Sequence, residues 1–132
     1  MTGPMPPRRG MLASTRGSMA VEFAFVLVPF LLIVFGLLQV GVTFGAMAAL
    51  NEAATETARA LELEYPDDPP TAEDVLLEAR TRFKGPDPNR VAAELDNGSA
   101  GQILRLTYDV PLLIPILDWN VSRLRAAALV GG

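Results

Sequence analysis

The chain has 132 residues, half of them hydrophobic, and a net charge of −4. It contains no cysteine and no histidine. That excludes disulfides, thiol catalysis, zinc–thiolate and iron–sulfur sites, and any imidazole base or ligand.

Residues 1 to 17, MTGPMPPRRGMLASTRG, are rich in Pro, Gly and Arg and show no apolar period. They read as a disordered leader. Arg8, Arg9 and Arg16 stand before the first acid, Glu22. Basic residues on a short flank predict that this end stays in the cytoplasm.

Residues 18 to 64 read as one long helix. From Phe23 to Asn51 there is no charge at all, which exceeds the ~20 residues that span a bilayer. The membrane span is expected at about residues 23–46. From Ala46 the pattern turns amphipathic, with Met47, Leu50, Ala54, Ala58 and Leu61 on one stripe. Glu52, Glu56, Arg59 and Glu62 occupy the other faces. The helix is expected to leave the membrane and pack that stripe on a small domain. Tyr65-Pro66 and Pro69-Pro70 end it.

Residues 65 to 132 form the expected head, outside the membrane. After Asn51 the chain has 8 basic and 14 acidic residues; an acidic domain with no basic patch argues against nucleic-acid binding. Residues 71 to 84 predict a second helix, opened by a Thr71–Asp74 capping box and ended at Gly85-Pro86. Its apolar face is Val75, Leu76, Ala79 and Phe83. Arg80, Arg82 and Lys84 suit the C-terminal end of its dipole.

Strands are expected from residue 90 onward. Val91, Ala93 and Leu95 alternate, and residues 97 to 101 form a turn cluster. A helix remains open for 88–95, with Asp87 as cap and Pro88 at its first position. Gln102 to Val110 is the clearest strand, with Leu104, Leu106, Tyr108 and Val110 on one face. An apolar loop, PLLIPILD, follows. Trp119 to Val130 reads as a third strand, although Ala126-Ala127-Ala128 leaves a helix open. The fold class is therefore α+β: a long N-terminal transmembrane helix, a second helix and a short antiparallel meander.

No catalytic constellation emerges, and the chain reads as a non-enzyme without metal or cofactor. Asp67-Asp68 and Glu73-Asp74 fit loop solvation and helix-dipole complementation better than acid–base work or calcium binding. Ser122 and the other hydroxyls have no histidine to activate them. Trp119 suits a core or a membrane interface.

The octet RGSMAVEF, Arg16 to Phe23, sets a carboxylate at the entrance of the apolar helix. Taken alone, the segment allows a plain single-pass anchor, in which Glu22 reaches into the headgroups. A secretory signal is a further alternative, although its apolar core normally runs only ~7–15 residues. As a whole, the octet resembles the processing site of type IV prepilins. GSMAVEFAFVLVPFLLIVFGLLQVGVTFGAMAALNEAATETARAL then resembles the TadE-like minor pilins of the tight-adherence branch. TYDVPLLIPILDW is similar, more loosely, to their ending.

That resemblance implies cleavage between Gly17 and Ser18 by a prepilin peptidase, with the apolar helix retained. It implies that Glu22, fifth after the cut, pairs with the new amine of a neighbouring subunit. Pairing with Ser18 of the same chain, one helical turn away, stays open. Phe23 stands where that branch usually has a tyrosine. Pro29 would kink the helix. Gly41 and Gly45 would let helices approach closely. Gln39 suits a hydrogen bond between helices or tolerated exposure to lipid. The implied partners are the lipid bilayer, the prepilin peptidase, other pilin or pseudopilin subunits and the Tad membrane platform. The implied work is assembly of a Tad-type (Flp) pilus for adhesion or secretion. A membrane-anchored binding domain that does not polymerise is the alternative.

Overall fold

The structure, a computed structural model, describes residues 2–4, 11–113 and 123–131. The chain divides into two units, Met1–Leu37 and Leu38–Gly132.

The first helix, α1, runs over Met11–Glu64. It starts ahead of the expected Ser18, so the octet lies inside it. The reason is local. Met11, Leu12, Ala13 and Arg16 favour helix, and Gly17 costs only about 1 kcal/mol within it. The helix contributes all of the described residues of the N-terminal unit apart from Thr2, Gly3 and Pro4.

The second unit holds the head. Beyond α1 come α2 (Ala72–Arg82), a 3-10 turn (Pro88–Arg90), β1 (Val91–Gly98), β2 (Gly101–Asp109) and β3 (Arg123–Val130). The three strands form one antiparallel sheet in the order β1-β2-β3. The α+β expectation holds, with the second helix and the meander where the pattern put them.

Both ends of α2 have a local cause. Thr71 Oγ1 accepts from the Asp74 N–H at 3.3 Å, and Asp74 Oδ2 accepts from the Thr71 N–H at 3.1 Å. This is the reciprocal capping box, closed by an aspartate where glutamate is usual. The helix stops at Phe83, whose backbone is extended, two residues before Gly85. A Cβ at Gly85 would run into the Phe83 ring, so the glycine lets the chain turn past that ring. Of the expected apolar face, Val75, Ala79 and Phe83 are buried, while Leu76 is only half-buried.

The basic residues at the end of α2 do more than offset its dipole. Arg80 donates to the carbonyls of Val91 and Asn89 at 3.2 and 3.1 Å, tying α2 to the start of β1. Lys84 Nζ lies 2.9 Å from Glu52 of α1, and that hydrogen bond raises its pKa. The pair is exposed, so it orients more than it stabilises.

Asp87 and Pro88 do open a helical turn, as one of the two readings of 88–95 had it. The turn lasts three residues, and Val91 begins the strand. Ser99 and Ala100 join β1 to β2 with negative φ, and the left-handed step falls on Gly101 at φ +125°. A side chain there would be strained.

Cross-strand rows explain the core. Val91, Tyr108 and Leu124 lie opposite one another; so do Ala93, Leu106 and Ala126, and Leu95, Leu104 and Ala128. The three consecutive alanines therefore form strand, and Trp119–Val130 is strand from Arg123. Ala126 and Ala128 sit beside large leucines of β2, where small partners fit. Residues 119–122 lie outside the described residues.

The inner face of the sheet, α2 and the outer part of α1 share one hydrophobic core. From α1 it takes Ala46, Leu50, Ala53, Ala54, Ala58 and Leu61. Met47, expected on this stripe, is instead 43% exposed. Ala46, one position earlier, takes the buried place. The buried positions 46, 50, 53, 54, 57, 58 and 61 keep one helical phase, and Met47 falls to the side of that face.

Two hydroxyls are sealed into this core. Thr57 Oγ1 and Tyr108 Oη make no hydrogen bond of standard geometry among the described residues. Burial raises the Tyr108 pKa above 10; the ring packs on Phe83 with centroids 4.7 Å apart. Thr57 is fully buried, and an unmet buried hydroxyl costs about 1–3 kcal/mol. Thr57→Val keeps the shape and a similar helix propensity. It is expected to stabilise the head by about 1 kcal/mol. An unchanged or lowered midpoint in urea unfolding would mean that the hydroxyl is satisfied.

Candidate functional site

The candidate site is the octet and the helix that follows it. In the N-terminal unit, Arg16 to Phe23 are all exposed. Nothing lies within 4 Å of where a Cβ on Gly17 would stand, so no packing within the chain requires a glycine there. While residue 17 remains attached, the Ser18 nitrogen is a helical amide without charge. Cleavage would turn it into an ammonium group at a helix N-terminus. Glu22 stands four residues on, on the same helical face. Its carboxylate could then reach its own chain's amine or that of a neighbour. The first turn of a helix also favours a carboxylate through the dipole.

Beyond Glu22 the helix is apolar on every side. Phe23, Phe25, Val26, Phe30 and Ile33 are all exposed. In water such a surface would be strongly unfavourable; in lipid it is what a helix needs. It is long and apolar enough to cross a membrane, and none of its most apolar stretch is buried within the chain. Pro29 sits inside the helix without interrupting it. Its ring supplies no N–H, so the Phe25 carbonyl lacks its usual donor.

In the second unit, Gly41 and Gly45 are exposed, and added Cβ atoms would meet nothing within 4 Å. They form an open strip on α1, one turn apart. No contact among the described residues requires their smallness.

Gln39 has a definite partner, and it is not another helix. Its Nε2 donates to the Pro111 carbonyl at 3.3 Å, and its Oε1 accepts from the Leu113 N–H at 2.8 Å. The side-chain amide thus pairs with the backbone just after β2, much as a strand edge would. As the one amide between Phe23 and Thr43, Gln39 stands out in the sequence. Its partner lies more than seventy residues away, and no local pattern points to it.

The outer face of the sheet carries mixed charges. Arg123 pairs with Asp109 at 3.1 Å and Arg105 with Asp96 at 3.5 Å. These are exposed pairs of modest worth, and the Arg123–Asp109 pair closes the adjoining ends of β2 and β3.

No curated protein and no solved structure matches the chain. The family model described as TadE-like protein matches residues 17–59, about a third of the chain. The match starts at the glycine of the octet, takes in the exposed apolar helix and ends on the stripe that docks against the sheet. Over that stretch the chain is similar to TadE-like proteins.

Proposed function

We propose that the chain is a minor pilin or pseudopilin of a Tad-type (Flp) pilus, made as a precursor and cleaved between Gly17 and Ser18 by a prepilin peptidase. Its N-terminus lies in the cytoplasm and its acidic head outside, in keeping with Arg8, Arg9 and Arg16 on the short flank. Its work is structural and not catalytic: it joins, primes or caps the filament that serves adhesion or secretion. The observation that carries this reading is the position of Glu22. A lone carboxylate stands five residues past a glycine, at the entrance to a helix exposed and apolar on all sides.

The chemistry follows from the helix. A peptidase needs its scissile bond extended, so the turn around Gly17 must unwind. Glycine makes that turn the cheapest to open. The cut frees an ammonium group at Ser18. A carboxylate held in lipid needs such a cation. In a filament, the amine of a neighbouring subunit meets Glu22 and sets the axial offset between the two. Pro29, Gly41 and Gly45 then lie along the surface offered to adjacent helices, where close approach and a missing hydrogen bond are absorbed by packing.

The test is the mature N-terminus, read by Edman degradation or mass spectrometry of protein from membranes. A start at Ser18 is expected. A start at Met1 or Thr2 would replace this reading with a plain membrane-anchored domain. A start near Ala49 would indicate secretion.

A further inference from the structure

We infer that the backbone segment after β2, Pro111 to Leu113, seats in the apolar layer of the membrane leaflet nearest the head, beside α1. The partner is the acyl region of lipid. The head would then hold the bilayer at a second place, in addition to the helix. This rests on the reading of α1 as a membrane span.

Position comes first. Gln39 lies inside the uncharged stretch, thirteen residues before Glu52, the next charge. At 1.5 Å per residue that is about 20 Å of helix. The ~20 residues needed to cross a bilayer, counted from Phe23, reach Val42. Gln39 and what it binds therefore fall short of the end of the span.

The hydrogen bonds suit that depth. Away from water, every polar group of a backbone must find a partner within the protein. The Gln39 amide meets the Pro111 carbonyl and the Leu113 N–H, and they meet both of its polar atoms. Pro111 has no N–H to satisfy. Both polar atoms of Gln39 and two of the five backbone polar groups of Pro111–Leu113 are thus closed on one another.

The surface agrees. Leu112 and Leu113 are 39% and 49% exposed. Leu38, Val40 and Phe44 of α1 are exposed in the same stretch of helix, Phe44 to 71%. The last charges of the sheet at this end are Asp109 and Arg123, paired with each other. Charge ends at residue 109, and uncharged chain follows at once. The exposed leucines lie beside the exposed apolar residues of the helix, whose remaining side, Gln39 and Val42, faces the head.

The test uses the full chain in vesicles whose phosphatidylcholine carries bromine on the acyl chains. Trp119→Phe removes the native tryptophan. Single tryptophans are then placed by Leu113→Trp, by Phe30→Trp in the span, and by Leu77→Trp on the exposed side of α2. Emission from the tryptophans at 30 and 113 should be quenched to a similar extent, and that at 77 should not. If 113 behaves like 77 while 30 is quenched, this inference falls and the membrane span stands. If 30 is also unquenched, the span itself falls. Leu112→Trp repeats the test at a second position and guards against a variant that disturbs the fold.

Discussion

Glu22→Ala should leave processing after Gly17 largely intact and sharply reduce incorporation into pili. The peptidase acts on the far side of Ser18, so the carboxylate is dispensable for the cut. Docking is different. Removing one partner of an ion pair sheltered from water costs about 3–5 kcal/mol, because the other charge stays unpaired. At about 1.4 kcal/mol per tenfold, incorporation should fall by roughly a hundred- to a few-thousandfold. Glu22→Gln, which keeps the shape and one acceptor, should fall between wild type and Glu22→Ala. Immunoblots of sheared pili and of the membranes left behind read both quantities. Undiminished piliation in Glu22→Ala, with the protein present and cut, would mean that Glu22 pairs within its own chain or with nothing.

Leu106→Ala should be the most damaging single truncation in the sheet. Leu106 is fully buried in the central strand, and its cross-strand neighbours are Ala93 and Ala126. The variant would leave three alanines in a row. No neighbouring large side chain in that row could relax into the space. Large-to-small changes in a core cost about 2–5 kcal/mol, most where the site cannot collapse. A loss near the upper end is expected here, against a total of about 5–15 kcal/mol for a typical domain. Leu104→Ala is the control. Its row keeps Leu95 beside it, so it should cost less. Urea unfolding of the detergent-solubilised chain, followed by far-UV circular dichroism, gives both values. Equal losses would show that the alanine neighbours do not govern the cavity.

Residue types within a few positions of one another account for much of this protein. An uncharged run longer than a bilayer needs is enough to make a helix that lipid can accept on all sides. Thr71 and Asp74 stand three apart, and a capping box needs nothing further. Alternation from Leu104 to Val110 places β2 on a core whatever lies on either side. The octet is equally local, which is why a glycine and a glutamate five positions apart bring the TadE-like segment to notice.

Tertiary structure decided the rest, because those choices turn on neighbours distant in the chain. Ala46 and Met47 are both apolar and both near Leu50; the direction in which the sheet and α2 meet the helix buries Ala46 and leaves Met47 to the side. Ala126 to Ala128 have weak strand propensity, and pairing beside Leu104 and Leu106 overrides it. The helix starts at Met11 because no residue from there to Gly17 is costly enough to stop it, although composition read the segment as disordered. Gln39 is the clearest case. A lone amide in an apolar run asks for a partner, but the backbone that answers it comes into reach only when β2 has been laid along the core of the head.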